Sequence, residues 1–475
     1  MRRPVYTGGP LCALSARETV DLLARGEVSP LELIEAALER IAAVEPEVNA
    51  LPTVCAERAR AAALTLEPAE GPGALHGLPI AIKDLTPVSG VHTTFGTKGY
   101  ADHVPDASDP LVRRLEKKGA IVIAKSNTPE MGAGGNTFND VFGATRNPWD
   151  VSKNAGGSSG GAAAALAAGE VWLAHGSDLA GSLRTPAGYC GVVGLRPSPG
   201  RVPGGSELGF GLEAVQGPMA RSVADCALFL DAMVGDDGTL PIALDRPVKS
   251  FAAAVAAAAP PRCVGFAPDL GGFAPVEPDV REMLERTMQA LAQEGTEVEE
   301  TCPDLPGLDE TYLTLRAMLW AAGPGHQPKR VQTHYKQTLA ENIAQGWALT
   351  PERIYAAERQ RTVLFQNMAR FFRVHDVLAC PVVGLDAKAV ELEYPTEVGG
   401  RPMRSYVDWL RFSFLAPTTG LPAISVPIGR MASGVPIGMQ LIGPPRGEAK
   451  LLAVAQVIET LNPDFSPGPI DPVTG

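Results

Sequence analysis

The chain has 475 residues, 45% of them hydrophobic and 20% charged, which is enough to bury a large core. Its 41 Lys plus Arg face 53 Asp plus Glu, a formal net charge of −12; with no segregated basic patch, a field of that sign argues against nucleic-acid or anionic-membrane binding. The seven cysteines are scattered and lack C-x-x-C spacing, so neither a disulfide framework nor a zinc knuckle is indicated, and a reducing compartment fits.

After Met1-Arg2-Arg3 the residues PVYTGGP hold no apolar segment, and the longest apolar run, residues 251–259, is far too short to span a membrane; a cytoplasmic protein is expected. Capping boxes at Ser15/Glu18 and Ser29/Glu32, the second with Pro30 at the first helical position, start two helices. Leu31, Ile34, Leu38 and Ile41 recur at helical spacing. From residue 78 the pattern changes to strand (78–82), helix (110–118) and strand (121–124). It continues with an alanine helix after Ser159, a strand at 171–174, a helix at 223–233, a strand at 264–266, a helix at 280–291 and a short strand near Val298. Residues 305–372 read as mainly helical, strands resume at 377–383 and 423–428, and a last helix covers 448–461. The alternation predicts an α/β protein with helices covering a largely buried, mostly parallel sheet. We find no repeat and no linker. The expected organisation is one domain over 1–475, with an N-terminal helical layer (1–70), a catalytic core (71–240), a mainly helical lid or inserted layer (305–372) and a C-terminal part of the core (375–465).

Lys83 ends the apolar run LPIAIKD. A lysine there commonly snorkels to the surface. If buried, it loses its charge near neutral pH and becomes a base, and Asp84, facing the other way on a strand, need not cancel that effect. The loop Gly156-Gly157-Ser158-Ser159-Gly160-Gly161 before the alanine helix has a rival reading as a phosphate cradle, but it lacks the G-K-[ST] ending and the G-x-G-x-x-G pattern. The turn Asp178-Leu179-Ala180-Gly181-Ser182-Leu183-Arg184 offers a serine that either caps a helix or attacks a carbonyl beside backbone N–H groups. A nucleophilic serine needs a base. Among the histidines, His175 reads as a satisfied core residue, and His76, His92, His103, His326, His334 and His375 have no companion pattern, which leaves the lysine.

These segments resemble the amidase signature family of serine hydrolases. IAIKD, GGSSGG and GSDLAGSLRTPAGYCGVVGLRPS form its three-part signature. SNTPEMG, GATRNPWD, GPMARSVAD, GLPAISVPIG and GVPIGMQLIG extend the likeness from about Ser15 to Leu461. The resemblance implies a single α/β/α domain around a large mixed, mostly parallel central sheet, and a Ser-cisSer-Lys triad: Ser182 as nucleophile, Ser158 as bridging serine after a cis peptide, and Lys83 as base. It implies an oxyanion hole from the N–H groups of Leu179, Ala180, Gly181 and Ser182, an acyl-enzyme intermediate, and no metal or cofactor. Two departures stand out. Ala180 replaces the usual glycine, as in relatives acting on nylon-type cyclic amide dimers, and Pro417 replaces the asparagine before T-G.

Substrate-binding residues are expected at Met131, Gly132, Gly157 and Trp320, with further walls from Trp347 and from residues 406–414. The expected activity is amide hydrolysis on apolar or aryl amides, with carbamates and cyclic amide oligomers as further substrates, and a homodimer is left open. Two alternatives remain. One is the amidotransferase subunit of a tRNA-dependent glutamine-using complex; the other is a non-catalytic binding protein, including a nucleotide binder that uses GGSSGG.

Overall fold

The computed structural model describes residues 4–474 apart from 206–207, 237, 239 and 463–467, so the first three residues of the chain and the end of the expected 375–465 segment lie outside the described residues. Eleven strands form the central sheet: β1 (Thr53–Val54), β2 (Pro79–Lys83), β3 (Ile121–Ser126), β4 (Leu173–Asp178), β5 (Val193–Arg196), β6 (Val215–Ala220), β7 (Cys263–Phe266), β8 (Glu297–Glu300), β9 (Val377–Pro381), β10 (Ala423–Arg430) and β11 (Pro436–Ile442). Their order is β1-β3-β2-β4-β6-β5-β10-β11-β9-β7-β8. Parallel pairing, expected along most of the sheet, is found in its two flanks, β3-β2-β4 and β9-β7-β8. The strands between the flanks alternate in direction.

The sequence explains the layering. Every residue of β2 and of β3 is buried, as expected for strands covered on both faces. Both strands close on polar residues, Lys83 and Lys125-Ser126, at the carboxyl ends where open α/β sheets hold ligands. Helices α1 (Ala16–Arg25) and α2 (Pro30–Val48) start at the two predicted capping boxes, each with both reciprocal hydrogen bonds formed. Next come α3 (Pro110–Lys117), α4 (Gly160–Ala168), α5 (Arg184–Cys190), α6 (Val223–Met233) and α7 (Pro278–Gln293). Every residue of α4 is buried, and its small side chains suit a helix with no solvent-facing side. The 305–372 region forms α8 (Leu308–Ala322), α9 (Gln337–Trp347) and α10 (Pro351–Phe371), and α11 (Glu448–Thr460) closes the chain. Among the described residues no helix is long and apolar enough to cross a membrane.

The strand expected at 171–174 starts at Leu173 and runs on to Asp178, because the polar residues His175, Ser177 and Asp178 find partners or burial inside the sheet. Strands β5, β6 and β11 were not among the expected elements. Gly194, Gly217, Pro218, Pro436 and Gly438 interrupt their apolar pattern, yet each residue is paired within the sheet.

Candidate active site

Lys83 is the last residue of β2 and is wholly buried. Its Nζ lies 2.7 Å from Ser158 Oγ, 2.8 Å from Ser159 Oγ and 3.1 Å from Ser177 Oγ. Among the described residues no carboxylate pairs with it. On the neighbouring strand Lys125 is equally buried, but its Nζ is 3.2 Å from Asp84 Oδ1 and donates to Thr93. Asp84 is therefore occupied, as its position on the other side of the strand predicts. Burial pushes the Lys83 amine down to about 7, against a smaller upward pull from the Asp178 charge.

The hydroxyls around Lys83 are themselves positioned. Ser159 precedes α4, and its side chain accepts no capping hydrogen bond; its Oγ donates to the Ser177 carbonyl at 3.3 Å, which leaves it an acceptor toward Lys83. A neutral amine has two N–H donors and one lone pair. In its neutral form the amine can give its two N–H groups to Ser159 and Ser177, which leaves the lone pair for the nearest hydroxyl, Ser158. Thr137 holds the loop from the other side, donating to the Gly156 carbonyl at 2.8 Å and accepting from Gly160 N–H at 3.1 Å. The Gly157–Ser158 peptide is cis, as the resemblance implied.

Ser182 lies on the turn between β4 and α5. Gly181 before it sits at φ +90°, and an added Cβ would collide with Ser413 Oγ, so only glycine fits there. Asp178 ties the turn together: Oδ1 accepts from Gly181 N–H at 3.1 Å, and Oδ2 accepts from Leu183 N–H at 3.1 Å and from Arg184 Nε at 3.0 Å. Arg196 donates to the Asp178 carbonyl at 2.7 Å. Burial alone would raise the Asp178 carboxyl, but the Arg184 charge and hydrogen bond, joined by Arg196, hold it well below the usual range. One expectation is corrected here. The Gly181 N–H is spent on Asp178, so the donors in the turn left without a partner among the described residues are Leu179, Ala180 and Ser182.

The Ser182 hydroxyl opens onto a cavity of about 310 Å³ that also exposes Ser158, and its apolar wall is Leu85, Phe95, Met131, Leu179, Leu319 and Trp320. Met131 holds the left-handed backbone at φ +51°, rare outside glycine, and its N–H donates to the Phe95 carbonyl at 2.7 Å. Met131, Gly132 and Trp320 thus line the cavity as expected. Gly157 does not; an added Cβ would meet the backbone of Gly134 and Gly135 instead. Trp347 is 60% exposed, and residues 406–414 stay out of the cavity. Tyr406 acts at one remove, because Arg316 stacks on both its ring and that of Trp320.

His175 is fully buried, a core residue as expected, with the Gln216 side chain as its polar neighbour. Burial and the nearby Lys83 charge push it down to about 3, so it stays neutral. Sequence reasoning missed Ser159, Ser177 and the clamp on Asp178. The signal for Ser177 was its place one residue before that aspartate, at the end of a strand beside β2.

Pro417 falls inside a short helix, Leu415–Thr419, where the Thr418 and Thr419 hydroxyls donate to the Phe414 and Leu415 carbonyls. That segment is satisfied without the family's asparagine.

The Amidase family model matches residues 32–452. An acylamidase of Rhodococcus erythropolis is 34% identical over 469 residues, covering 96% of this chain and 97% of that protein. A glutamyl-tRNA(Gln) amidotransferase subunit of Moorella thermoacetica is also 34% identical, over 485 residues, 94% of this chain and 96% of its own. Among solved structures, a bacterial aryl acylamidase of the amidase signature enzymes superposes with TM-score 0.89 at 27% identity, covering 96% of this chain and 97% of that one. With the lysine, the two serines and the glycine turn in place, and with a family match over most of its length, the chain belongs to the Amidase family, the amidase signature enzymes.

Proposed function

We propose that this amide hydrolase acts through an acyl-enzyme on Ser182, with Ser158 as the bridging serine and Lys83 as the base. The observation that carries the reading is the buried Lys83 amine, 2.7 Å from Ser158 Oγ and, among the described residues, paired with no carboxylate. Ser182 Oγ attacks the amide carbonyl carbon; its proton passes to Ser158, whose own proton goes to the Lys83 lone pair. The oxyanion is met by the N–H groups of Leu179, Ala180 and Ser182. The ammonium then returns a proton through Ser158 to the departing nitrogen, the C–N bond breaks, and the amine leaves neutral. Water, activated by the regenerated amine, attacks the ester and frees the acid.

The cavity wall of Leu85, Phe95, Met131 and Trp320 supports an apolar acyl or aryl group on a small-molecule amide or carbamate substrate. Cyclic amide oligomers fall within the same reading, because Ala180 adds a methyl group beside the oxyanion donors. We propose a single domain over 1–475, placed in the cytoplasm.

The test is covalent labelling by a fluorophosphonate, followed by a panel of anilides, primary amides, esters, carbamates and glutamine. Labelling of Ser182 that disappears in Ser182→Ala and falls in Lys83→Ala supports the triad. A folded wild-type protein that stays unlabelled refutes it. Ammonia release from glutamine with no turnover of anilides would assign the chain to the amidotransferase role instead.

A further inference from the structure

One helical turn before Trp320, the α8 side chain of Arg316 enters a second cavity of about 490 Å³ within the helical layer. Arg316 is 4% exposed. One terminal nitrogen donates to Asn342 Oδ1 and the other to Tyr406 Oη, while Nε has no partner among the described residues. The guanidinium lies 5.0 Å from the Trp320 ring and 5.1 Å from the Tyr406 ring. None of these neighbours carries negative charge: Asn342 and Trp320 are neutral, and burial raises the Tyr406 phenol above its ordinary value.

Among the described residues Arg316 makes no ion pair, which is unusual for a buried arginine. Removing a guanidinium from water without an anion leaves its desolvation uncompensated. The rest of the lining points the same way. Arg353 and Arg404 border the cavity, both exposed and without an ion pair among the described residues. The lining holds a single carboxylate, Glu341, which is exposed and accepts from Gln337. Three cations therefore share one acid at the rim.

We infer that this cavity is an accessory site for a small oxyanion, a carboxylate or phosphate group, held by Arg316 and drawn in by Arg353 and Arg404. A planar guanidinium fork matches such an anion, and the aromatic rings on either side hold the fork in place. The site lies outside the cavity that holds Ser158 and Ser182, and it stands independently of the roles proposed for them. It has a route to that cavity nonetheless. Arg316 stacks on Trp320, which forms part of the substrate wall, so an anion that fixes the guanidinium also fixes the indole.

The experiment titrates inorganic phosphate, and separately acetate, into the full-length protein at constant ionic strength made up with chloride. Melting temperature and tryptophan fluorescence are followed together. A saturable response is expected for at least one of the two anions, and whichever binds more tightly names the ligand class. Arg316→Gln should abolish it. The double variant Arg353→Gln/Arg404→Gln changes only exposed residues, so its melting temperature without anion should match wild type while its anion affinity falls at least tenfold. Saturable binding should also shift KM for an aryl anilide twofold or more, a change that vanishes in Trp320→Phe if the indole is the link. A response that rises linearly without saturation, or a double variant that binds like wild type, would overturn the inference.

Discussion

Replacing Lys83 by methionine, of similar length but without the amine, should change stability in a way that depends on pH. The lysine amine is held at about 7 against an ordinary value of 10.5. At about 1.4 kcal/mol per pKa unit, that gap corresponds to a cost of about 5 kcal/mol wherever the unfolded amine is protonated and the folded one is also protonated. Because the folded value is the lower one, the unfolded state binds the extra proton between about pH 7 and 10.5. Wild-type stability therefore climbs with pH through that window, the cost is fully present below about 7, and it is gone above 10.5. Methionine removes this dependence but takes one hydrogen bond from each of Ser158, Ser159 and Ser177, at about 1 kcal/mol apiece. The variant is thus expected to be more stable than wild type by about 2 kcal/mol near pH 6 and less stable by about 3 kcal/mol near pH 10.5. Urea unfolding of both proteins at several pH values reads the difference directly, since other titrating groups cancel. Two stability curves running parallel across pH 6 to 10 would refute the reasoning. Activity should fall at least about 100-fold in the same variant.

Gly181→Ala places a Cβ against Ser413 at a backbone angle that disfavours side chains, so it should lose about 1–3 kcal/mol of stability and most of its activity, read by thermal melting and turnover of an anilide. Asp178→Asn leaves Arg184 and Arg196 buried without their anion and should destabilise by about 3–5 kcal/mol in denaturant titration. Ser177→Ala removes one hydrogen bond from the Lys83 amine and should lower kcat about tenfold while KM stays within a factor of two. Trp320→Ala opens the cavity wall and should raise KM for aryl amides about 10-fold or more, with a small primary amide much less affected.

How much of this was legible in the sequence depended on whether the signal was local. The capping boxes at Ser15 and Ser29 and the helix Val223–Met233 are written in consecutive residues, and they stand where the pattern put them. The Lys83–Ser158 contact spans 75 residues and was found through the familial motifs; nothing in LPIAIKD by itself distinguishes a buried base from a snorkelling side chain. The setting of that lysine was not legible. Ser159 and Ser177 serve it only because α4 and β4 converge on the end of β2, and the commitment of Gly181 N–H to Asp178 depends on the curl of the turn. The substrate walls were the least accessible. Leu85, Phe95 and Leu319 come from separate loops and from the helical layer, with no shared periodicity to mark which side chains point inward, whereas Trp347 and Tyr406 read equally well as walls and face elsewhere.

Catalysis as proposed rests on an amine that is neutral at working pH inside the protein. Protein carrying 13C at the lysine ε-carbons, with Lys83→Met used to assign the resonance, allows that amine to be titrated directly by NMR. The expected result is a Lys83 signal titrating near pH 7, well apart from the surface lysines. A Lys83 signal that titrates with the surface lysines near 10.5 would contradict it.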